Sequence, residues 1–80
     1  MTTTGETLTF GQKAVGLTFN PSADAAVNEC KLTHAAAIDQ MDTFRNLPTT
    51  SPEAKRLASI AITELQGAQM WAVKALTWKP

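Results

Sequence analysis

Ser51-Pro-Glu-Ala-Lys-Arg-Leu-Ala-Ser-Ile-Ala-Ile-Thr-Glu-Leu-Gln-Gly-Ala-Gln-Met-Trp-Ala-Val-Lys-Ala-Leu-Thr-Trp78 is the stretch that decides the fold. Ser51 can cap the first N–H groups of a helix, and Pro52 sits where no donor is needed and φ is already helical. Glu53 lies near the positive end of the resulting dipole, with Lys74 and Lys79 toward the negative end. Gly67 costs only about 1 kcal/mol relative to alanine, and no proline interrupts the run before Pro80. The spacing predicts one long helix with two apolar seams. Leu57, Ala61, Ala68, Trp71, Ala75 and Trp78 form one; Ile62, Leu65, Ala72 and Leu76 form the other. A helix apolar over most of its circumference has several neighbours. A chain of 80 residues is too short to supply them all, so further copies of itself are expected to do so.

That length allows one domain, spanning residues 1–80, with little independent core. Cys30 is the only cysteine and His34 the only histidine, which excludes an internal disulfide and argues against a four-ligand metal staple. Self-association is the remaining source of burial. A formal net charge of zero and a pI near 6.5 argue against binding duplex nucleic acid. No apolar run is long enough to span a bilayer, and the start does not read as a secretory leader. A soluble protein of a reducing cytosol is the expectation, and a single thiol agrees with it.

Outward from the long helix, Leu47-Pro48-Thr49-Thr50 reads as a stop and turn within residues 47–51. A loop that short joins antiparallel neighbours, so a second long helix precedes it in an αα-hairpin. That helix is expected over residues 21–46, with Pro21 as first residue, Asn20 or Ser22 as cap, and a seam of Val27, Cys30, His34, Ala37, Met41 and Phe44. Alanines on both helices allow close approach of their axes. Residues 7–20 form an arm, helical or irregular around Phe10 to Val15, and residues 1–6 are expected to be frayed. The helix over residues 52–78 completes an all-α chain.

Residues suited to catalysis are sparse. Cys30 and His34 stand four apart and could form a thiolate pair, but ordinary packing on an apolar seam is the better reading. Glu29, Asp39, Asp42, Glu53 and Glu64 are spread out, without the paired spacing of general acid–base work. Gly11 and Gly16 do not make a phosphate loop. The sequence argues against an enzyme, and it calls for no cofactor and no metal. The arm is more suggestive. Phe10-Gly-Gln-Lys13 puts a ring and an ammonium within one turn, with Phe19 and Asn20 following, and rings stack on nucleobases while lysine meets phosphate. From composition alone, rings anchoring the arm to the hairpin are the commoner case. Lys55-Arg56 beside a helix N-terminus can hold an anion, though a solvated pair is commoner.

Two segments carry a resemblance: Phe10-Gly-Gln-Lys-Ala-Val-Gly-Leu-Thr-Phe-Asn-Pro-Ser22, and Lys55 to Trp78 with its Gln69-Met-Trp-Ala-Val-Lys74. Together they resemble the phage anti-CBASS protein 2 family, in its T-even-like branch, whose hairpin domain is shared with anti-Thoeris sponges. The resemblance spans Leu8 to Trp78. It implies a helical homo-oligomer, a hexamer, acting in the host bacterial cytoplasm. There it captures cyclic dinucleotides such as 3′,3′-cyclic GMP–AMP between protomers, and in some members cyclic trinucleotides at a separate threefold site, without cleaving them. By position it gives base stacking to Phe10, phosphate pairing to Lys13 and the trinucleotide site to Arg56. The ligand-binding set it implies is Phe10, Lys13, Phe19, Asn20, Arg56 and Thr63. Where other members carry tyrosine, Phe10 keeps the ring and loses the hydroxyl. Two other classes stay open: an oligomeric adaptor that seizes a host or phage protein, and a hydrolase of the same signals, which the absence of carboxylate or metal clusters disfavours.

Overall fold

The computed structural model describes residues 7–80, and these are all-helical: α1 (Phe10–Ala14), α2 (Ala25–Arg45) and α3 (Pro52–Leu76). The frayed start expected for residues 1–6 lies outside the described residues. α3 begins as its sequence indicates. The Ser51 hydroxyl accepts the Ala54 N–H at 3.2 Å, Pro52 follows, Glu53 lies in the first turn and Lys74 in the last. The connection to α2 is tied down by side chains. Lys55 Nζ donates to the carbonyls of Arg45 (2.6 Å) and Leu47 (3.3 Å), and the Thr50 hydroxyl donates to that of Phe44 (2.7 Å). Backbone N–H groups of Leu47 and Thr50 also reach the Phe44 and Leu47 carbonyls, so the end of α2 is well satisfied, and α3 folds back along α2 as a hairpin.

α2 departs from expectation in two respects. It starts at Ala25 rather than Pro21, because Asn20 spends its side chain on the backbone of Asp24, donating to the carbonyl (2.9 Å) and accepting from the N–H (3.2 Å). Pro21 and Ser22 become the corners of a turn closed by the Ala23 N–H on Asn20 O (2.9 Å), and Ala23 is held at φ 51°. Asp24 then caps the helix, accepting from Ala26 and Val27. The buried face is also rotated by one residue. Val27, Lys31, Ala35 and Ile38 are buried, Cys30, His34, Ala37 and Met41 are partly covered, and Phe44 is exposed. The cause is α1 and its following turn, which also pack on α2 and bring Val15 against Ala35 and Ile38 and the Gly16 and Phe19 carbonyls against Lys31.

α1 is short but well terminated. Thr9 and Gln12 form a reciprocal capping box, each side chain accepting the other's backbone N–H. At its other end Gly16, at φ 63°, sits past the cap. The Leu17 N–H bonds Gln12 O and the Gly16 N–H bonds Lys13 O, the Schellman arrangement that requires a left-handed residue. α1 meets α2 backbone to backbone at Gly11, whose N–H donates to the Asp39 carboxylate at 2.7 Å. A Cβ at this position would stand 2.2 Å from the Ala35 carbonyl oxygen.

The core formed by these contacts is small: Val15, Ala35, Ile38 and Ile62, with Ala14, Leu17, Met41 and Leu65 against it. The molecule is 45 × 35 × 12 Å, and its radius of gyration of 14.1 Å exceeds the roughly 12 Å of a compact chain this long. It is one helix thick. α3 ends at Leu76, capped by Thr77, rather than at Trp78. Of its two seams, Ile62, Leu65 and Ala72 turn toward the hairpin partner and Leu76 is exposed, whereas Leu57, Trp71 and, beyond the helix, Trp78 are 52%, 72% and 66% exposed.

Two substitutions test this packing. Gly11→Ala should detach α1 and lower unfolding stability by about 1–3 kcal/mol, the usual range for overpacking. Ala23→Gly should instead leave stability unchanged or raise it by up to about 1 kcal/mol, since only the left-handed strain is relieved. Urea unfolding of both variants decides.

Candidate functional site

Where α1 and its following turn cross α2 and the middle of α3, they leave a concavity of about 690 Å³. Its polar wall comprises Lys13, Lys31, Gln66 and Gln69; Phe19, Met70 and Val73 complete it with Ala14, Val15 and Gly16. Two cations and two amides line it, and no carboxylate does.

Each of these side chains is placed by a local device. Lys31 belongs to the buried face of α2 and is only 5% exposed. Its ammonium donates to Gly16 O at 2.9 Å and to Phe19 O, and it lies 5.5 Å from the centre of the Phe19 ring. These contacts clasp the turn after α1 onto α2. They use two of the three N–H donors, and no carboxylate pairs with this charge among the described residues. Lys13, in the last turn of α1, is exposed at the rim. Phe19 is held by its backbone, and the residue is 72% exposed. Gln69 is 6% exposed, and its amide has no hydrogen-bond partner among the described residues. Gln66, one turn earlier, is half-buried on the same side of α3. The arrangement can receive an anion at the lysines, a flat ring against Phe19, and a polar edge at the glutamines.

Of the six residues singled out from sequence, the concavity gathers Lys13 and Phe19. Phe10 lies at the other end of α1, half exposed, with the Arg45 guanidinium 5.4 Å from its ring centre. Asn20 is committed to the Asp24 backbone. Arg56 makes a two-pronged pair with Glu53, at 3.0 and 2.7 Å, which holds the Glu53 carboxyl below its ordinary value and raises that of Arg56. Thr63 donates to Ser59 O on the surface of α3. Lys31, Gln66 and Gln69 were missed. A lysine between Val27 and Ala35, and a glutamine between Ile62 and Val73, were the available signals: polar residues at positions the helical period assigns to a buried face.

The Cys30–His34 pair also resolves. His34 Nδ1 is 2.8 Å from Cys30 O and 3.7 Å from Cys30 Sγ. With its proton donated to the carbonyl, Nδ1 has no basic lone pair to offer the thiol. Among the described residues no three His, Cys, Asp or Glu side chains come together as a metal site, and no helix is long and apolar enough to cross a membrane.

Comparison with known proteins identifies the family. The family described as Acb2/Tad1, hairpin domain, matches residues 12–77, which include all of α2 and α3 and every residue lining the concavity. No curated protein and no solved structure matches the chain at a significant level.

Two measurements follow. Lys31→Met should lower stability by about 1.5–3 kcal/mol, the range for hydrogen bonds to charged groups, and loosen the Gly16–Phe19 turn in hydrogen exchange. Glu53 should titrate below the ordinary glutamate range by NMR and rise back toward it in Arg56→Ala. Its folded pKa is depressed, so the pair acts at neutral pH and is lost as pH falls through that lowered value.

Proposed function

The chain belongs to the Acb2/Tad1 hairpin family, and on that premise we propose that it is a phage sponge that sequesters cyclic oligonucleotide messengers and releases them uncleaved. The observation that carries this reading is the concavity with two lysines and no carboxylate. A cyclic dinucleotide brings two phosphates, and a protein of zero net charge must meet them with local cations. Lys13 supplies a mobile charge at the rim. Lys31 supplies a fixed one whose remaining N–H is available to a phosphate oxygen. The Phe19 ring offers a stacking platform for a base. Blocking CBASS effector activation in the host cytoplasm then requires capture alone, and no nucleophile or general base is needed.

Phe10, Arg56 and Thr63 lie outside the concavity, and we assign them to ligand contacts across boundaries between protomers. The outer α3 seam of Leu57, Ala61, Ala68, Trp71 and Ala75, continued past the helix end by Trp78, recurs at steps of three, four and seven residues, as surfaces that pair with another helix do. Covering it with further copies makes an obligate oligomer, taken as a hexamer, in which the two tryptophans are interface anchors. Arg56, Ile60, Thr63 and Gly67 share a neighbouring face at helical spacing, where Arg56 is placed for a cyclic trinucleotide once it leaves Glu53.

The test begins by incubating the protein with 3′,3′-cyclic GMP–AMP, removing unbound ligand, denaturing, and analysing what is released. The sponge returns the intact cyclic compound; linear product points to a hydrolase, and nothing bound to an adaptor. Phe19→Ala should weaken binding by a stacking contact of about 1–3 kcal/mol. Lys13→Ala should weaken it by about 1.5–3 kcal/mol without loss of melting temperature. Light scattering should show no folded monomer at micromolar concentration, and a monomer would overturn the assembly.

A further inference from the structure

The concavity also holds a group that neither the fold nor phosphate binding requires. Gln69 is 94% removed from solvent, yet none of its amide atoms is hydrogen-bonded among the described residues. Along α3 its neighbours Leu65, Ala68, Met70, Ala72 and Val73 are apolar, and Gln66, one turn earlier on the same wall, is not hydrogen-bonded to it. Burial of an unpaired amide is unfavourable, and any apolar residue of similar size would pack the position better. Polar groups left in that condition at the wall of a concavity are matched by a ligand in functional sites.

We propose that Gln69 is the base-reading residue of this site and that it selects adenine. The inference rests on the sponge reading above. An amide presents one acceptor beside one donor in a plane, so it pairs two-pronged only with an edge offering a donor beside an acceptor. Adenine meets this requirement on its N6/N7 edge, and glutamine is among the side chains that read it. The N7/O6 edge of guanine presents two acceptors and suits arginine or lysine instead. Guanine offers a donor beside an acceptor only on its N1/O6 and N2/N3 edges, so the selection applies to a base that turns its N7 edge to Gln69. With the ring of a base against Phe19 and a phosphate at Lys13 or Lys31, its edge faces α3, where Gln69 and then Gln66 lie. The other buried polar group on this wall, Lys31, is already occupied by two carbonyls, so the amide is the one able to take a base edge.

The experiment is calorimetric titration of the wild-type oligomer, Gln69→Leu and Gln69→Glu with cyclic di-AMP, 3′,3′-cyclic GMP–AMP and cyclic di-GMP, with a thermal melt of each protein. The wild type should bind the two adenine-bearing ligands about ten- to a hundredfold more tightly than cyclic di-GMP. Gln69→Leu, relieved of an unpaired amide, should melt no lower than wild type, lose that preference, and keep its affinity for cyclic di-GMP within about twofold. Gln69→Glu keeps the acceptor, loses the donor, and should lose the preference as well. A wild type that binds all three ligands equally overturns the assignment while leaving the sponge reading intact. So does a Gln69→Leu variant that melts lower and keeps its selectivity. Binding of none of the three overturns both.

Discussion

Everything in this molecule depends on how closely α1 approaches α2. The hairpin alone would be two helices side by side, with no concave surface. Gly11 lets the α1 backbone rest against the Ala35 carbonyl at a distance no side chain permits, and Asp39 fixes it there through a charge-assisted hydrogen bond to the Gly11 N–H. Lys31 closes the other end of the arm by holding the Gly16 and Phe19 carbonyls. Between these two fastenings the turn stands away from α3, and the space left over is the concavity. A structural device and a chemical one therefore share an atom: the Lys31 ammonium both shapes the wall and charges it.

The same economy explains the surplus apolar surface. A layer one helix thick cannot bury both sides of α3. The inner seam, centred on Ile62 and Leu65, joins the core, and the outer one, with Leu57, Trp71 and Trp78, remains in solvent. Exposed apolar area of this kind marks a surface made to be covered. Assembly and ligand capture are linked in the proposed sponge, because Phe10 and Arg56 do not line the concavity and are assigned there to contacts between protomers.

Much of the fold was legible in the sequence. Ser51-Pro52 announced the start of α3, whose end falls at Leu76, two residues short of Trp78, and Leu47-Pro48 marked the reversal. The start of α2 was not, since Asn20, Pro21, Ser22 and Asp24 are all acceptable cap or first-turn residues. The choice fell to Asn20, whose two bonds to Asp24 form only once the turn exists. The buried face of α2 was ambiguous because Ala35, Ala36 and Ala37 present similar small surfaces on adjacent faces, and docking of α1 selected among them. The site was less legible still. Lys13 and Phe19 could be chosen as a cation and a ring near the arm. Lys31 and Gln69 instead read as breaks in an apolar pattern, and their value depends on the tertiary crossing that surrounds them. Phe10 attracted attention for its ring, but that ring lies beside Arg45, a contact between residues 35 positions apart in sequence.

The central claim is that the ligand lies in the concavity between the arm and α3, with a base on Phe19. The most direct measurement is of intermolecular nuclear Overhauser effects between the protein and bound 3′,3′-cyclic GMP–AMP. Contacts from base protons to the Phe19 ring and the Met70 methyl, with none to Trp71, are the expected result. Contacts confined to Trp71, Trp78 or Leu57 would place the ligand on the outer seam of α3 and contradict it.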